Sequence, residues 1–187
     1  MRAAGFVLAG GLSSRMGRDK ALLRHWGVPL VVRAAAAVAD AAGSVTILGD
    51  PGTYGRFGWP ALADTVPGLG PMGALLTALD NTRAEWNVLV ACDMPDLSRE
   101  LLRELLAKTA RTRGRCVAPV TEDGFEPLCA VYRRTALPEV RAAIAAGHLA
   151  MRDLLPLLDV VPVRGLDPAC FRNLNTPEEW NGYSHRR

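Results

Sequence analysis

The feature that most constrains the fold is an alternation of short apolar runs with longer stretches of helical spacing. Ala3–Leu8 is the first such run, and it leads into a loop rich in glycine and serine over 10–20. A helix follows over 29–42, with proline suited to its first turn and Gly43 to its end. Residues 44–48 form a β-branched second strand, and 60–63 a weaker third. A helix over 71–80 precedes the apolar run 87–91, which has the character of a central strand buried on both faces. Ser98 then caps a helix to about residue 110. Strands are expected at 116–120, 128–132 and 160–163, and helices at 137–146, 151–157 and 176–183. Strands alternating with helices predict an α/β three-layer sandwich around a mostly parallel central sheet.

A chain of 187 residues can bury roughly 70% of its unfolded surface, enough for one full core. With 49% apolar residues and 22 Lys+Arg against 19 Asp+Glu, it is not a disordered chain. The basic residues are concentrated early: Arg2, Arg15, Arg18, Lys20, Arg24 and Arg33 stand against Asp19 alone in the first 33 residues. Cations clustered around glycines suit a small phosphorylated ligand better than a nucleic-acid backbone. Cys92, Cys116, Cys129 and Cys170 form no CxxC pair, and His25, His148 and His185 are scattered, which disfavours zinc and disulfides. No stretch approaches the ~20 apolar residues of a membrane span. Residues 3–12 are too short and glycine-broken for a signal peptide. A cytoplasmic protein, with neither nucleic acid nor membrane as partner, is expected.

Two segments carry the chemistry. Gly10 and Gly11, directly after the first strand, let the backbone turn sharply and bring N–H groups close to an anion. Arg15 and Lys20 add a fork and a mobile point charge. The loop matches neither GxGxxG nor GxxxxGK followed by Ser or Thr. Asp93, in Cys92-Asp93-Met94-Pro95, stands just past the central strand, at the same carboxyl edge of the sheet. One carboxylate with phosphate oxygens and waters suffices for Mg²⁺, although spacing alone equally allows a capping or turn aspartate.

The string from Leu8 to Lys20 closely resembles the LAGGxSxRMGxDK signature of molybdenum cofactor guanylyltransferases, within the GT-A-like nucleotidyltransferases of Rossmann-like fold. Residues 91–95 resemble the family's CDxP metal motif, and 68–73 its GPLxG loop with Met72 replacing leucine. Residues 126–132 resemble a family strand in which Glu126 replaces the usual Gln or His, and 171–179 its NxNTPEE motif. The resemblance implies nucleotide binding by Leu8, Ala9, Gly10, Gly11, Lys20, Asp64, Gly70 and Asp93, with Lys20, Arg15 and Asp93 catalytic. It also implies Mg²⁺ on Asp93 and acceptor binding by Asn173, Asn175 and Thr176. Asn175 and Thr176 also form a helix-capping pattern. The nucleotide-contacting Asn that some members place after the second strand has no counterpart in Ile47-Leu48-Gly49-Asp50.

The implied reaction moves GMP from GTP to the terminal phosphate of molybdopterin, releasing pyrophosphate. The implied organisation is a single domain over 1–187, its nucleotide-binding half about 1–97 and its acceptor half about 98–187. Transient contact with molybdenum-cofactor insertion or delivery proteins is a further implication. The alternatives are a molybdenum cofactor cytidylyltransferase, another GT-A-like nucleotidyltransferase, or a catalytically silent nucleotide-binding or cofactor-chaperone domain. Cytidylyltransferase relatives typically read LAAG, so Gly11 favours guanine.

Overall fold

The computed structural model describes residues 3–10, 19–174 and 176–184. In chain order its elements are β1 (Ala3–Leu8), β2 (Arg24–His25), β3 (Val28–Pro29), α1 (Leu30–Ala42), β4 (Thr46–Leu48) and α2 (Pro51–Tyr54). Next come β5 (Ala61–Leu62), α3 (Gly70–Asp80), β6 (Trp86–Ala91), α4 (Arg99–Lys108), β7 (Cys116–Thr121) and β8 (Gly124–Phe125). The chain continues through β9 (Cys129–Arg133), α5 (Leu137–Ala145), α6 (Met151–Leu154), β10 (Val160–Val163) and α7 (Pro177–Ser184).

One large sheet runs in the order β10-β7-β9-β6-β1-β4-β5, with β8 attached to β7. Along that path every neighbouring pair is parallel except those that β9 makes, antiparallel to both β6 and β7. The reason is chain length. Residues 122–128 are too few for the helical crossover a parallel return needs, so the chain folds straight back through β8. The small β2–β3 hairpin stands apart and turns through Trp26 and Gly27, both at positive φ.

Period-two alternation splits the core between the two faces of this sheet. Val7 of β1 and Trp86, Val88 and Val90 of β6 pack on one side with α1 and α4. Phe6, Leu8 and Leu89 pack on the other with α3, α5 and α6. A fully buried side chain of this kind contributes about 1.5–3 kcal/mol. The alanine-rich middle of α1 lets it approach β1 closely, with Ala34 and Ala35 buried. The same approach needs Gly5, where a Cβ would lie 2.1 Å from Val38 Cγ1 and 2.7 Å from the Ser44 carbonyl oxygen.

All four cysteines are unbridged thiols, three of them buried. No helix among the described residues is long and apolar enough to cross a membrane.

Candidate active site

The parallel strands end in step. Leu8 is level with Ala91 and Leu48, and Leu48 with Leu62. Pairing continues one residue further, because Ala9 N–H donates to Leu48 O, Cys92 N–H to Leu8 O and Gly49 N–H to Leu62 O. Two residues past Leu8, Leu48, Leu62 and Ala91 stand Gly10, Asp50, Asp64 and Asp93. The ladder therefore delivers a glycine and three carboxylates to one carboxyl edge, the place where open α/β sheets bind ligands.

Two cavities sharing Leu8 and Gly10 open along that edge. The first, about 200 Å³, is lined by Ala9, Asp19, Lys20, Pro71, Cys92 and Asp93, among others. The second, about 540 Å³, is lined by Gly49, Asp50, Asp64, Gly68 and Gly70, among others. Leu8, Ala9, Gly10, Lys20, Asp64, Gly70 and Asp93 thus all line one cavity or the other. Gly11, Arg15 and Asn175 lie outside the described residues.

In the first cavity Lys20 Nζ lies 3.3 Å from Asp93 Oδ2, with both side chains largely covered. The other carboxylate oxygen, Asp93 Oδ1, is buried and has no hydrogen-bond partner among the described residues. Buried polar atoms are nearly always satisfied, so a carboxylate oxygen left open beside a cavity is suited to a cation. Among the described residues no group of three or more His, Cys, Asp or Glu side chains is placed to hold a metal. A cation here would draw on at most two such side chains among the described residues, with ligand oxygens and water completing its shell.

Lys20 is held by local geometry. Asp19 caps the 3₁₀ turn Lys20–Leu22 by accepting the Ala21 N–H at 3.0 Å. Burial pushes the neighbouring Cys92 thiol well above its ordinary pKa, followed in effect by the Asp93 charge, so it stays protonated and inert.

Asp64 in the second cavity is part-buried, and desolvation raises its carboxyl above the usual carboxylate value. Its segment is anchored by the next residue, whose backbone N–H donates to the buried Thr77 hydroxyl at 2.9 Å. The 68–73 turn opens α3 as expected, with Gly68 and Gly70 at positive φ where glycine is favoured. Asp50 caps α2 through Gly52 N–H, Thr53 N–H and the Thr53 hydroxyl. That work fixes its carboxylate at the rim.

The C-terminal segment reaches the same edge. Leu174 N–H donates to Asp93 O at 3.1 Å, and Phe171 and Leu174 are buried while Asn173 between them is exposed. Thr176 is a capping residue: its hydroxyl accepts Glu179 N–H and its own N–H donates to Glu179 Oε2. Glu126, the departure from the family strand, accepts the Thr121 hydroxyl, while Leu128 lines the first cavity.

Two residues at this edge were not singled out from the sequence, Tyr54 and Asp19. Tyr54 donates its hydroxyl to Ala9 O and to Asp19 Oδ2. The pattern Asp50-Pro51, a capping residue with proline at the first helical position, was the available signal for the short helix that carries it.

Known proteins resemble this chain along most of its length. The family described as "MobA-like NTP transferase domain" matches residues 5–160. A molybdenum cofactor guanylyltransferase of Xanthomonas euvesicatoria pv. vesicatoria is 38% identical over 188 residues, covering 97% of this chain and 94% of the relative. The Rhodobacter capsulatus molybdenum cofactor guanylyltransferase is 36% identical, covering 96% and 93%. The crystal structure of molybdopterin-guanine dinucleotide biosynthesis protein A from Archaeoglobus fulgidus superposes with a TM-score of 0.81 at 24% identity, covering 97% of this chain and 96% of that one. A cytidylyltransferase structure from Thermus thermophilus, at 16% identity and a TM-score of 0.73, shares the fold as well. The chain belongs to the MobA-like NTP transferase family.

Proposed function

We propose that the protein transfers GMP from GTP to the terminal phosphate of molybdopterin and releases pyrophosphate. The observation that carries this reading is the first cavity, lined together by Gly10, Lys20 and Asp93, whose Oδ1 has no hydrogen-bond partner among the described residues. The relatives' names and their near full-length similarity supply the acceptor.

The division of labour follows from charge. Phosphates belong in the first cavity, with Lys20, Gly10 and the N-terminal end of α3 at Pro71. The second cavity presents Asp64 and Asp50 and, unlike the first, no cation in its described lining, so it suits base and sugar. Guanine offers two adjacent donors, N1–H and the 2-amino group, to a single carboxylate. Cytosine offers one amino group, and a neutral amide at position 64 would lose most of that distinction. Asp64→Asn is therefore expected to cut the preference for GTP over CTP, read as the ratio of kcat/KM values, about 10–100-fold.

In the reaction, a phosphate oxygen of molybdopterin attacks the α-phosphorus in line, and the bond from that phosphorus to the β-phosphate oxygen breaks. The nucleophile is already anionic, so no general base is needed. Mg²⁺ at Asp93, where the open oxygen fits it, would supply charge neutralisation at the α-phosphoryl group. Lys20 orients and neutralises the phosphates, exchanging its contact with Asp93 Oδ2 for phosphate oxygen as nucleotide enters. Arg15 is assigned with it to the leaving pyrophosphate, and Asn173 and Asn175 to the acceptor, the roles that the resemblance implies. Thr176 supports the segment by its cap. We assign the work to a cytoplasmic enzyme that hands its product to cofactor-insertion or delivery proteins.

The test is transfer of label from [α-³²P]GTP to purified molybdopterin in the presence of Mg²⁺. Label recovered in a molybdopterin–guanine dinucleotide supports the reading. Pyrophosphate formed with the label left on free GMP would refute molybdopterin as acceptor.

A further inference from the structure

Tyr54 ends α2 with its side chain almost wholly buried beside the two cavities. Its hydroxyl meets the carbonyl oxygen of Ala9 and, at 2.7 Å, Oδ2 of Asp19. Those residues stand on either side of the signature segment, Ala9 at the end of β1 and Asp19 immediately before Lys20. The other oxygen of Asp19 caps the turn that carries Lys20. A single side chain thus touches the chain before and after the segment, and one of its partners sets the turn from which the Lys20 ammonium reaches Asp93.

The ring has been given room to do this. A Cβ on Gly49 would stand 2.6 Å and 2.8 Å from two Tyr54 ring carbons, so the glycine after β4 is what lets the phenol reach Ala9. Burial, and then the Asp19 carboxylate, push the phenol far above its ordinary pKa, so the hydroxyl stays a donor throughout the working pH range.

We propose that Tyr54 is a positioning residue for nucleotide binding: its one hydroxyl proton, shared between Ala9 O and Asp19 Oδ2, fixes the backbone on both sides of residues 11–18 and thereby sets Lys20 against Asp93. The inference rests on the reading of Lys20 and Asp93 as the phosphate and metal groups. Its physical content is preorganisation. Without the clamp, nucleotide must order these segments as it binds, and the loss falls on binding more than on the chemical step.

Tyr54→Phe removes only the oxygen and keeps the ring in its packing. The experiment compares this variant with the wild type in two ways: steady-state pyrophosphate release with varied GTP at saturating molybdopterin and Mg²⁺, and amide hydrogen exchange without ligand. The KM for GTP should rise about tenfold while kcat changes by less than about threefold. Exchange should quicken at residues 19–22, with β6 unchanged and the melting temperature within about 4 °C. An unchanged KM overturns the proposal, whatever the exchange shows. So does unchanged exchange at 19–22, or a defect that disappears on assay well below a lowered melting temperature. If the wild type itself releases no pyrophosphate, the functional reading fails, and exchange at 19–22 still decides whether the clamp exists.

Discussion

Asp93→Ala is expected to lower pyrophosphate release at saturating substrates by about 10²–10³-fold or more, with the fold intact. The side chain contributes little to folding as it stands. One oxygen is buried without a partner among the described residues, and the other pairs with Lys20 across 3.3 Å. About a fifth of each side chain of the pair is exposed, so the Lys20 ammonium left behind can be hydrated and the cost stays small. The backbone contact that matters structurally, Leu174 N–H to Asp93 O, survives the substitution. Melting temperature should therefore stay within about 4 °C of wild type while turnover collapses. A parallel fall of both would mark Asp93 as a structural turn residue instead.

Gly5→Ala should do the opposite, destabilising the fold without touching the chemistry. The new methyl would sit 2.1 Å from Val38 Cγ1, which could swing away, and 2.7 Å from the Ser44 carbonyl oxygen, which is backbone and cannot. Either α1 moves off β1, or the loop between α1 and β4 shifts and drags the edge of the sheet with it. Overpacking in a tight core costs about 1–3 kcal/mol and occasionally more. The backbone clash puts this site at the upper end, about 3 kcal/mol, or a fall of about 6–12 °C in melting temperature. Thermal unfolding followed by circular dichroism measures it. The strand itself should tolerate alanine elsewhere, since the penalty belongs to the helix contact and not to β propensity.

Most of the strand–helix order was legible because the signals are local. β1 and β6 are short apolar runs that stop at chemistry-bearing residues, and α4 carries its own Ser98 cap and Glu100 in the first turn. The alanine stretch in α1 was readable as close packing, and Gly5 shows the other half of that contact. The place of β9 was not legible. An apolar run looks the same whether its neighbours run parallel or antiparallel, and insertion between β7 and β6 is a non-local choice. It is imposed by the short return through β8.

At the site, residues carried by contiguous motifs could be picked out, and those acting through another element could not. Lys20, Asp93, Asp64 and Gly70 sit in strings that can be read directly. Thr77 supports the Asp64 segment from a helix twelve residues further on, and nothing in its own surroundings shows this. Tyr54 reaches Ala9 over 45 positions of sequence, and its role depends on a glycine that is informative only once the ring is seen against it. Thr176 illustrates the converse, a motif residue whose visible work in the structure is to cap a helix.

The most direct test of the central claim is pyrophosphate release by the purified protein with molybdopterin, comparing GTP, CTP and ATP with and without Mg²⁺. The account predicts release with GTP, dependent on Mg²⁺ and abolished in Asp93→Ala, with CTP and ATP far weaker. Equal or greater release with CTP would contradict the assignment of guanine to the Asp64 cavity, and Mg²⁺-independent release would contradict the role given to Asp93.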